Sequence, residues 1–406
     1  MSISDFKPVT KKNRDLPSQN KLLHQWLGTA RWTYNKCVEA IKQKTAKANK
    51  KELRALCINK DAFGEGKQNQ WVLETPYDIR DDAMIDVVKA VQSNLAAERS
   101  KFTLKFRSLR DESQSLTVHK KHWCHKRGGY SALFGVGKLR SPEVLPDTLE
   151  CDSRLIRNRL GHWYLCLPME VKTIAASENQ TGDVCPDGDL PERKHKAVLS
   201  LDPGVRTFMT GYDPLGRVWE WGNQDMQRIY RLSHTVDKLQ SRWTQKGVLH
   251  KKRYKLQRAA RRLRLKVHNL VDEMHRKLAI WLCENYQVVL LPAFQTSQMI
   301  RRGQRKIRSR TVRGMVTWSH FRFRQRLLAK ARAYPDCRIV ICDEAYTSKT
   351  CGKCGQLHHK LGGNKIFKCP SCSVVIDRDV NGARNILLRF LTLNQSRTKI
   401  ETCSSE

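Results

Sequence analysis

Four cysteines, Cys351, Cys354, Cys369 and Cys372, stand in the spacing C-x2-C-x14-C-x2-C. Each C-x2-C pair can turn two thiolates towards one ion, and a second pair completes a tetrahedron, the geometry zinc adopts. Gly352, Gly355 and Pro370 suit the tight knuckles of such a site. Protein would fill all four positions, so the expected zinc is structural rather than catalytic. Two disulfides or a redox pair are the competing readings. His358 and His359 fall in the knuckle loop, and with four thiolates available they read as loop residues. The other ten of the fourteen cysteines are scattered singly along 406 residues. That pattern suits reduced thiols in an intracellular protein better than a disulfide framework.

Carboxylates stand at three expected element ends. Asp202 closes the apolar run Val198–Leu201 and opens Asp-Pro-Gly. Glu344 follows the run Arg338–Cys342, and Asp377 and Asp379 lie in DRDVNGARNI at the entrance to a last helix. Two-metal nucleases gather two or three carboxylates from different elements. These hold Mg²⁺ or Mn²⁺ ions about 4 Å apart, one at the attacking water and one at the leaving oxygen. Singly, each acid has a plainer use: Asp before Pro-Gly is turn chemistry, and Asp377 can cap the helix after it. The set together, with a knuckle between two of its members, favours catalysis.

Lys and Arg number 76 against 39 Asp and Glu, a formal net charge of +37. Such a surface repels itself, and its usual partner is a polyanion whose counterions are released on binding. An anionic membrane fits poorly, because no 18-residue apolar run is present. The N-terminal MSISDFKPVTKKNR lacks the apolar centre of a secretory signal. Two segments concentrate the charge. Lys251–Lys266 offers Lys251, Lys252, Arg253, Arg258, Arg261 and Arg262 to phosphates. Arg301–Arg332 holds no acid and offers Arg301, Arg302, Arg305, Arg308 and Arg310. Its Trp318, Phe321 and Phe323 could stack on bases or fill a core. Arg378 and Arg384 could touch phosphate or sit in salt bridges.

The elements that would position these groups follow from periodicity. Leu22, Leu23, Trp26, Leu27, Ala30 and Tyr34 share one face of a helix from Ser18 to about Lys47, and Trp26, Trp32 and Tyr34 read as core. A second helix is expected from about Asp81 to Lys105. Between Ser115 and Val171 the period drops towards two, and SLTVHK, SALFGV and HWYLCLPMEV read as strands. Residues 173–194 are polar and locally acidic, a linker or long loop. KAVLSLDPGVRTFMTGYDPLGRVWEWG reads as strand, turn and strand, with Asp213-Pro-Leu-Gly216 as a hairpin turn. Ile229, Leu232, Val236, Leu239 and Trp243 make a coiled-coil-like seam. A basic continuation over Lys251–Lys266 and a further helix over Val267–Cys283 are expected next. Buried strands at Val288–Leu291 and Ile339–Cys342 and a helix near Asn381–Leu391 complete an α/β half.

With DPG, the knuckle and DRDVNGARNI together, the sequence resembles the TnpB/Fanzor group of transposon-associated, RNA-guided nucleases, relatives of the type V CRISPR effectors. YTSKTCGKCG, FKCPSC and DRDVNGARNI carry the likeness at one end, and LHQWLGTARWTYNKCVEAIK at the other. It covers most of the chain, and is weakest at about 48–80 and in 173–194. The resemblance implies an α/β multidomain chain. A helical and β-barrel N-terminal half would span 1–172, with a helical recognition insertion at roughly 16–105. An RNase H-like (RuvC) nuclease domain would span 195–406, with an inserted zinc knuckle at 348–375. It also implies a guide RNA of the omega type, a DNA target and DNA cleavage, and favours Asp379 over Asp377 as metal ligand. Bacterial members carry a second acid just after the middle strand. Here that strand reads Val288-Val-Leu-Leu-Pro-Ala-Phe294, without one. Glu344, just before YTSKTC, looks like the eukaryotic and viral Fanzor pattern.

The expectation is a guide-RNA-directed DNA endonuclease of a mobile element. Asp202, Glu344 and Asp379 would perform two-metal phosphodiester hydrolysis, with Asp377 as an additional candidate. Its cofactors would be structural zinc, two Mg²⁺ or Mn²⁺ ions and a guide RNA. It would act as a monomer with its RNA, inside the cell, and in the nucleus of a eukaryotic host. Asp343 is expected to point away from Glu344, since strand neighbours alternate. The alternatives are a catalytically inactive nucleic-acid-binding relative, a transposase accessory protein and a cut-and-join transposase. The acid missing from the middle strand favours the inactive binder; Glu344 with Asp202 and Asp379 favours the enzyme.

Overall fold

The computed structural model describes residues 17–63, 69–124, 143–170, 173, 196–301, 303, 307–343 and 346–403. Glu344, Arg302, Arg305, the strand expected at SALFGV and all of the expected linker except Thr173 lie outside them. The chain divides into two compact units, Met1–Glu170 and Val171–Glu406.

In the first unit, helix α1 (Pro17–Lys42) carries the expected apolar face. Its first half, through Leu23, Trp26, Leu27 and Ala30, packs on a three-stranded antiparallel sheet. The strands are β1 (Ser113–Val118), β2 (Ser153–Asn158) and β3 (Trp163–Cys166). Its second half, through Tyr34, Cys37 and Val38, packs on α2 (Lys50–Cys57) and α3 (Tyr77–Ala96). Trp32 is half-buried against the rings of Phe63 and Trp71. Helix α3 starts four residues before the expected Asp81 and stops nine short of Lys105. Beyond Leu95, which is itself 61% exposed, the next turn places Glu98 and Arg99 on the stripe, and Glu98 adopts a left-handed φ of 51°. Among the described residues the strands form this open sheet and not the expected barrel.

The second unit is built on a five-stranded sheet of order β6-β5-β4-β7-β8. Its strands are β4 (Lys196–Pro203), β5 (Met209–Tyr212), β6 (Val218–Trp221), β7 (Tyr286–Pro292) and β8 (Arg338–Cys342). Strands β4, β7 and β8 run parallel, and the meander β4-β5-β6 is antiparallel. The turn between β5 and β6 is the expected one: Asp213 accepts from the amides of Leu215 and Arg217, and Gly216 takes a φ of +78°. The two faces of the sheet bury different partners. Leu199, Leu201, Val289 and Leu291 pack on α5 (His250–Asn285) and α8 (His320–Ala331), and the end of α7 (Ser309–Trp318) joins them. Val198, Leu290, Val340 and Cys342 pack on α9 (Arg378–Cys403) through Ile386, Leu387 and Phe390.

Three expectations change here. The basic run and the helix expected after it are one 36-residue helix, α5. The break falls earlier, after α4 (Asp225–Thr244), where Gly247 supplies a φ of +76° that L side chains resist. Strand β8, expected to be buried, is the sheet edge and is half-exposed. Of the three aromatics that could have stacked on bases, Trp318 and Phe323 are each 1% exposed and belong to the core, while Phe321 is 61% exposed. A short helix, α6 (Thr296–Met299), follows β7.

Candidate nuclease and zinc site

The four knuckle thiols converge. Cys351 Sγ lies 3.6 Å from Cys372 Sγ, Cys354 Sγ lies 3.6 Å from Cys369 Sγ, and all four lie within 4.8 Å of one another. Sulfurs about 2.3 Å from a central zinc form a tetrahedron with edges of roughly 3.8 Å. Disulfides would need about 2.05 Å, so the geometry fits one ion and not two bridges. The amide of Cys372 donates to Cys369 Sγ, which holds that thiol down at about 6 and favours the thiolate a metal needs. His358 packs edge-on to Phe367 and stays out of the cluster.

The knuckle is wired into the helix that carries the acids. The hairpin of β9 (Ile366–Lys368) and β10 (Val375–Asp377) holds the second cysteine pair, and β10 runs without a linker into α9. Two buried asparagines one turn apart on α9 grip the first pair. Asn381 accepts from the Gly352 amide (3.0 Å) and donates to the Thr350 carbonyl (2.7 Å). Asn385 donates to the carbonyls of Thr347 and Thr350, both at 2.7 Å. A Cβ on Gly352 would sit 3.0 Å from Asn385 Oδ1 and 3.1 Å from Asn381 Oδ1, so a glycine is needed for this approach.

Asp377 is the cap of α9: its Oδ1 accepts from the amides of Asp379 (2.9 Å) and Val380 (3.4 Å). Its other oxygen lies 3.4 Å from Lys365 Nζ. Asp379, in the first turn, is raised above the usual carboxylate range by burial, with the Asp377 charge adding to the effect. Lys365, Arg378 and Arg206 oppose that rise.

Asp202, the last residue but one of β4, lies on the face that carries Val198 and Ser200, the face covered by α9. There the Ser200 hydroxyl lies 2.7 Å from the Ala383 carbonyl and fixes strand to helix. A Cβ added to Gly382 would stand 2.7 Å from Asp202 Oδ2. The Asp202 carboxylate therefore rests against the bare backbone of α9 at Gly382. Asp379 is three residues earlier on that helix, and residues three apart share a face. The middle strand offers nothing: continuing the β4–β7 register by two residues sets Pro292 beside Asp202, and Pro292 pairs with Cys342 of β8. Strand β8 ends at Cys342, so strict alternation no longer governs Asp343. Its carboxylate turns to Arg389 of α9 at 2.8 Å, and its direction relative to Glu344 falls outside the described residues.

The cations divide. Lys251, Lys252, Arg253, Arg258 and Arg262 are exposed, and Arg261 is half-buried. Between residues 238 and 266 there are twelve Lys and Arg and no acid. Arg301, Arg308 and Arg310 are exposed, with Arg310 stacked over the Tyr230 ring at 4.5 Å. Arg378 donates to the Gly362 carbonyl (2.9 Å) and so serves the knuckle loop.

Sequence reasoning passed over Gly382, Asn381, Asn385 and His320, and left Trp318 open between base-stacking and core. The first three stand inside DRDVNGARN, where a glycine flanked by asparagines in a helix interior was the available signal.

A family model for the Cas12f1-like TNB domain matches residues 320–386. Putative transposase A625R of Paramecium bursaria Chlorella virus 1 is 27% identical over 403 residues, 95% of this chain and 87% of that protein. TnpB-like protein L79 of Acanthamoeba polyphaga mimivirus is 28% identical over 202 residues, 48% of this chain and 37% of that protein. A putative RNA-guided DNA endonuclease of Streptomyces pristinaespiralis is 24% identical over 303 residues, 73% of this chain and 67% of that protein. The chain is thus similar to TnpB-like proteins and putative transposases. The fold agrees: Cas12f1 in a cryo-EM structure with sgRNA and target DNA aligns at a TM-score of 0.50 and 13% identity, covering 91% of this chain and 82% of that one. The segment matched by the family model runs from His320 at the start of α8, through β8 and the knuckle, to Ile386 of α9. It thus contains the four cysteines, Asp379 and Gly382.

Proposed function

We propose that the chain is a transposon-associated, RNA-guided DNA endonuclease, with a divalent-metal site on Asp202, Asp379 and Glu344. The observation that carries this reading is the Asp202 carboxylate seated on α9 at Gly382, one turn from Asp379. Asp202 and Asp379 are both half-buried, and acids set one helical turn apart repel each other unless a shared cation relieves the repulsion. Burial and the neighbouring Asp377 charge raise the Asp379 carboxyl, and a cation bound there would hold it ionised. Glu344, two residues beyond Cys342, is the candidate third ligand. Bound Mg²⁺ or Mn²⁺ would supply an activated water and neutralise charge at the leaving oxygen. The protein's own groups do the rest. Asp202 and Asp379 would hold the ions, and exposed Arg206, whose charge Asp379 feels, would offer a cation to the phosphate. The cysteines hold structural zinc. Guide RNA would read sequence by base pairing, while the protein grips backbones through its cations.

The test is cleavage of a matched DNA by the chain with its co-purified RNA in Mg²⁺. Asp202→Asn, Asp379→Asn and Glu344→Ala should each abolish cutting and leave RNA-guided binding intact. Gly382→Ala should do the same, because its methyl takes the carboxylate's place. Glu284→Ala should cut normally: Glu284 accepts from the Tyr334 hydroxyl at the far end of β7, opposite Asp202. Proline in place of an acid beside Asp202 favours a second reading, an inactive binder. Wild-type protein that binds RNA and target but never cuts would establish that reading.

A further inference from the structure

The strand that delivers Asp202 ends there, and the loop after it must be held if the carboxylate is to keep its place. Internally the loop closes through the Gly204 amide to the Phe208 carbonyl (3.1 Å), and the Phe208 amide donates to Trp221 (2.8 Å). That leaves the Gly204 and Val205 carbonyls facing the junction of α7 and α8. Both are met by side chains from that junction. Trp318 Nε1 donates to the Val205 carbonyl at 2.9 Å, and His320 Nε2 donates to the Gly204 carbonyl at 3.0 Å.

The junction is shaped for this. Ser319, between the two donors, ends α7 and opens α8 in the left-handed region at a φ of 52°. That turn breaks helical periodicity and lets neighbours on either side aim at one loop. Both donors are buried, Trp318 at 1% and His320 at 6% exposure, so water does not compete for their hydrogens. The rings grip the far end of the loop too: Phe208 stacks on His320 at 4.8 Å and 10°, and lies 5.1 Å from Trp318. A carbonyl only accepts, so His320 carries its proton on Nε2, and burial pushes its pKa down to about 3, keeping the ring neutral.

We infer that Trp318 and His320 are positioning residues that lock the Asp202 loop by its two outward carbonyls, and so set the metal-binding geometry of the Asp202 carboxylate. This rests on the reading of Asp202 as a metal ligand. Neither residue touches substrate. Their effect is indirect, through a strand end whose displacement by a fraction of an ångström matters to a metal site.

The test uses the full chain with its RNA and four substitutions, the fourth being Asp202→Asn. Trp318→Phe removes one donor and keeps an aromatic ring. His320→Leu removes the other, and His320→Gln restores an N–H near the Nε2 position. Three readouts are taken: Mn²⁺ affinity by electron paramagnetic resonance, amide exchange over 203–208, and thermal melting. Trp318→Phe and His320→Leu should weaken Mn²⁺ binding about tenfold and speed exchange in the loop, and His320→Gln should recover most of both. Target binding should not change. Lower melting with unaltered Mn²⁺ affinity would reduce the pair to ordinary core residues and overturn the inference, as would His320→Gln behaving like His320→Leu. Asp202→Asn separates the two claims. If it binds Mn²⁺ like wild type, the metal-ligand reading falls and the inference with it. If it loses Mn²⁺ while Trp318→Phe does not, only the positioning claim falls.

Discussion

At Gly382 the missing side chain is the functional feature, whereas at His275 the side chain present has no evident bond to make. His275 is fully buried against Phe208 (5.0 Å) and Phe323 (5.4 Å), and among the described residues neither ring nitrogen makes a well-formed hydrogen bond, the Trp318 backbone being a polar neighbour that acts on the ring. Burial pushes its pKa down to about 4, as it pushes His320 to about 3. Both rings are neutral in the folded state but titrate near 6.5 when unfolded. Their contribution is therefore complete above about pH 6.5 and is lost as pH falls towards the folded values, at roughly 2 kcal/mol each by pH 5. The urea midpoint should drop between pH 7 and pH 5. His275→Leu should raise it at both, and more at pH 5, because an unsatisfied buried polar ring is removed. Parallel pH profiles for variant and wild type would sink this account. The contrast also marks what sequence could reveal. The cysteines, Asp202 and Asp379 were legible because their chemistry demands those residue types at those spacings. Trp318 was not: an aromatic in a basic segment reads equally as a base-stacker or as core, and only tertiary burial separates the two.

Among the elements, α9 carries most of the site's logic. One end is capped by Asp377, and its first turn bears Asp379. Gly382 receives Asp202, while Asn381 and Asn385 hold the knuckle. Metal binding in such knuckles is folding energy, so zinc should order the start of α9 as well as its own loops. One zinc per chain is expected by elemental analysis. Cys369→Ser should strip it, accelerate amide exchange across 375–386 and abolish cleavage. Unchanged exchange there in the zinc-free variant would uncouple the knuckle from the acids. The helices and strands of this unit were readable from period and turn residues. The errors came from features a linear pattern does not encode. One 36-residue helix looked like two because its first half is polar on nearly every face. β8 looked buried because an apolar edge strand and an apolar central strand share a pattern.

For the molecule as a whole, the dominant fact is charge: +37 in total, and twelve cations without an acid between residues 238 and 266. RNA affinity should fall steeply with salt, by orders of magnitude between roughly 50 and 200 mM if several phosphates are neutralised. Replacing Lys251, Lys252, Arg253 and Arg258 together with Ala should flatten the log–log slope by about 3. An unaltered slope would remove this face of α5 from the binding surface. Helix α5 has 36 residues and so extends about 54 Å. Its buried residues Val271, His275, Leu278, Ala279, Leu282 and Cys283 lie in the second half, while the first half buries only Ala260. Stripped of nucleic acid, the protein is a polyelectrolyte awaiting counterions. A length of stray RNA can serve two copies as readily as one, and will tether them into assemblies that mimic an oligomer. Such species should dissolve on ribonuclease treatment as well as in salt, whereas a dimer held by an apolar interface would survive both.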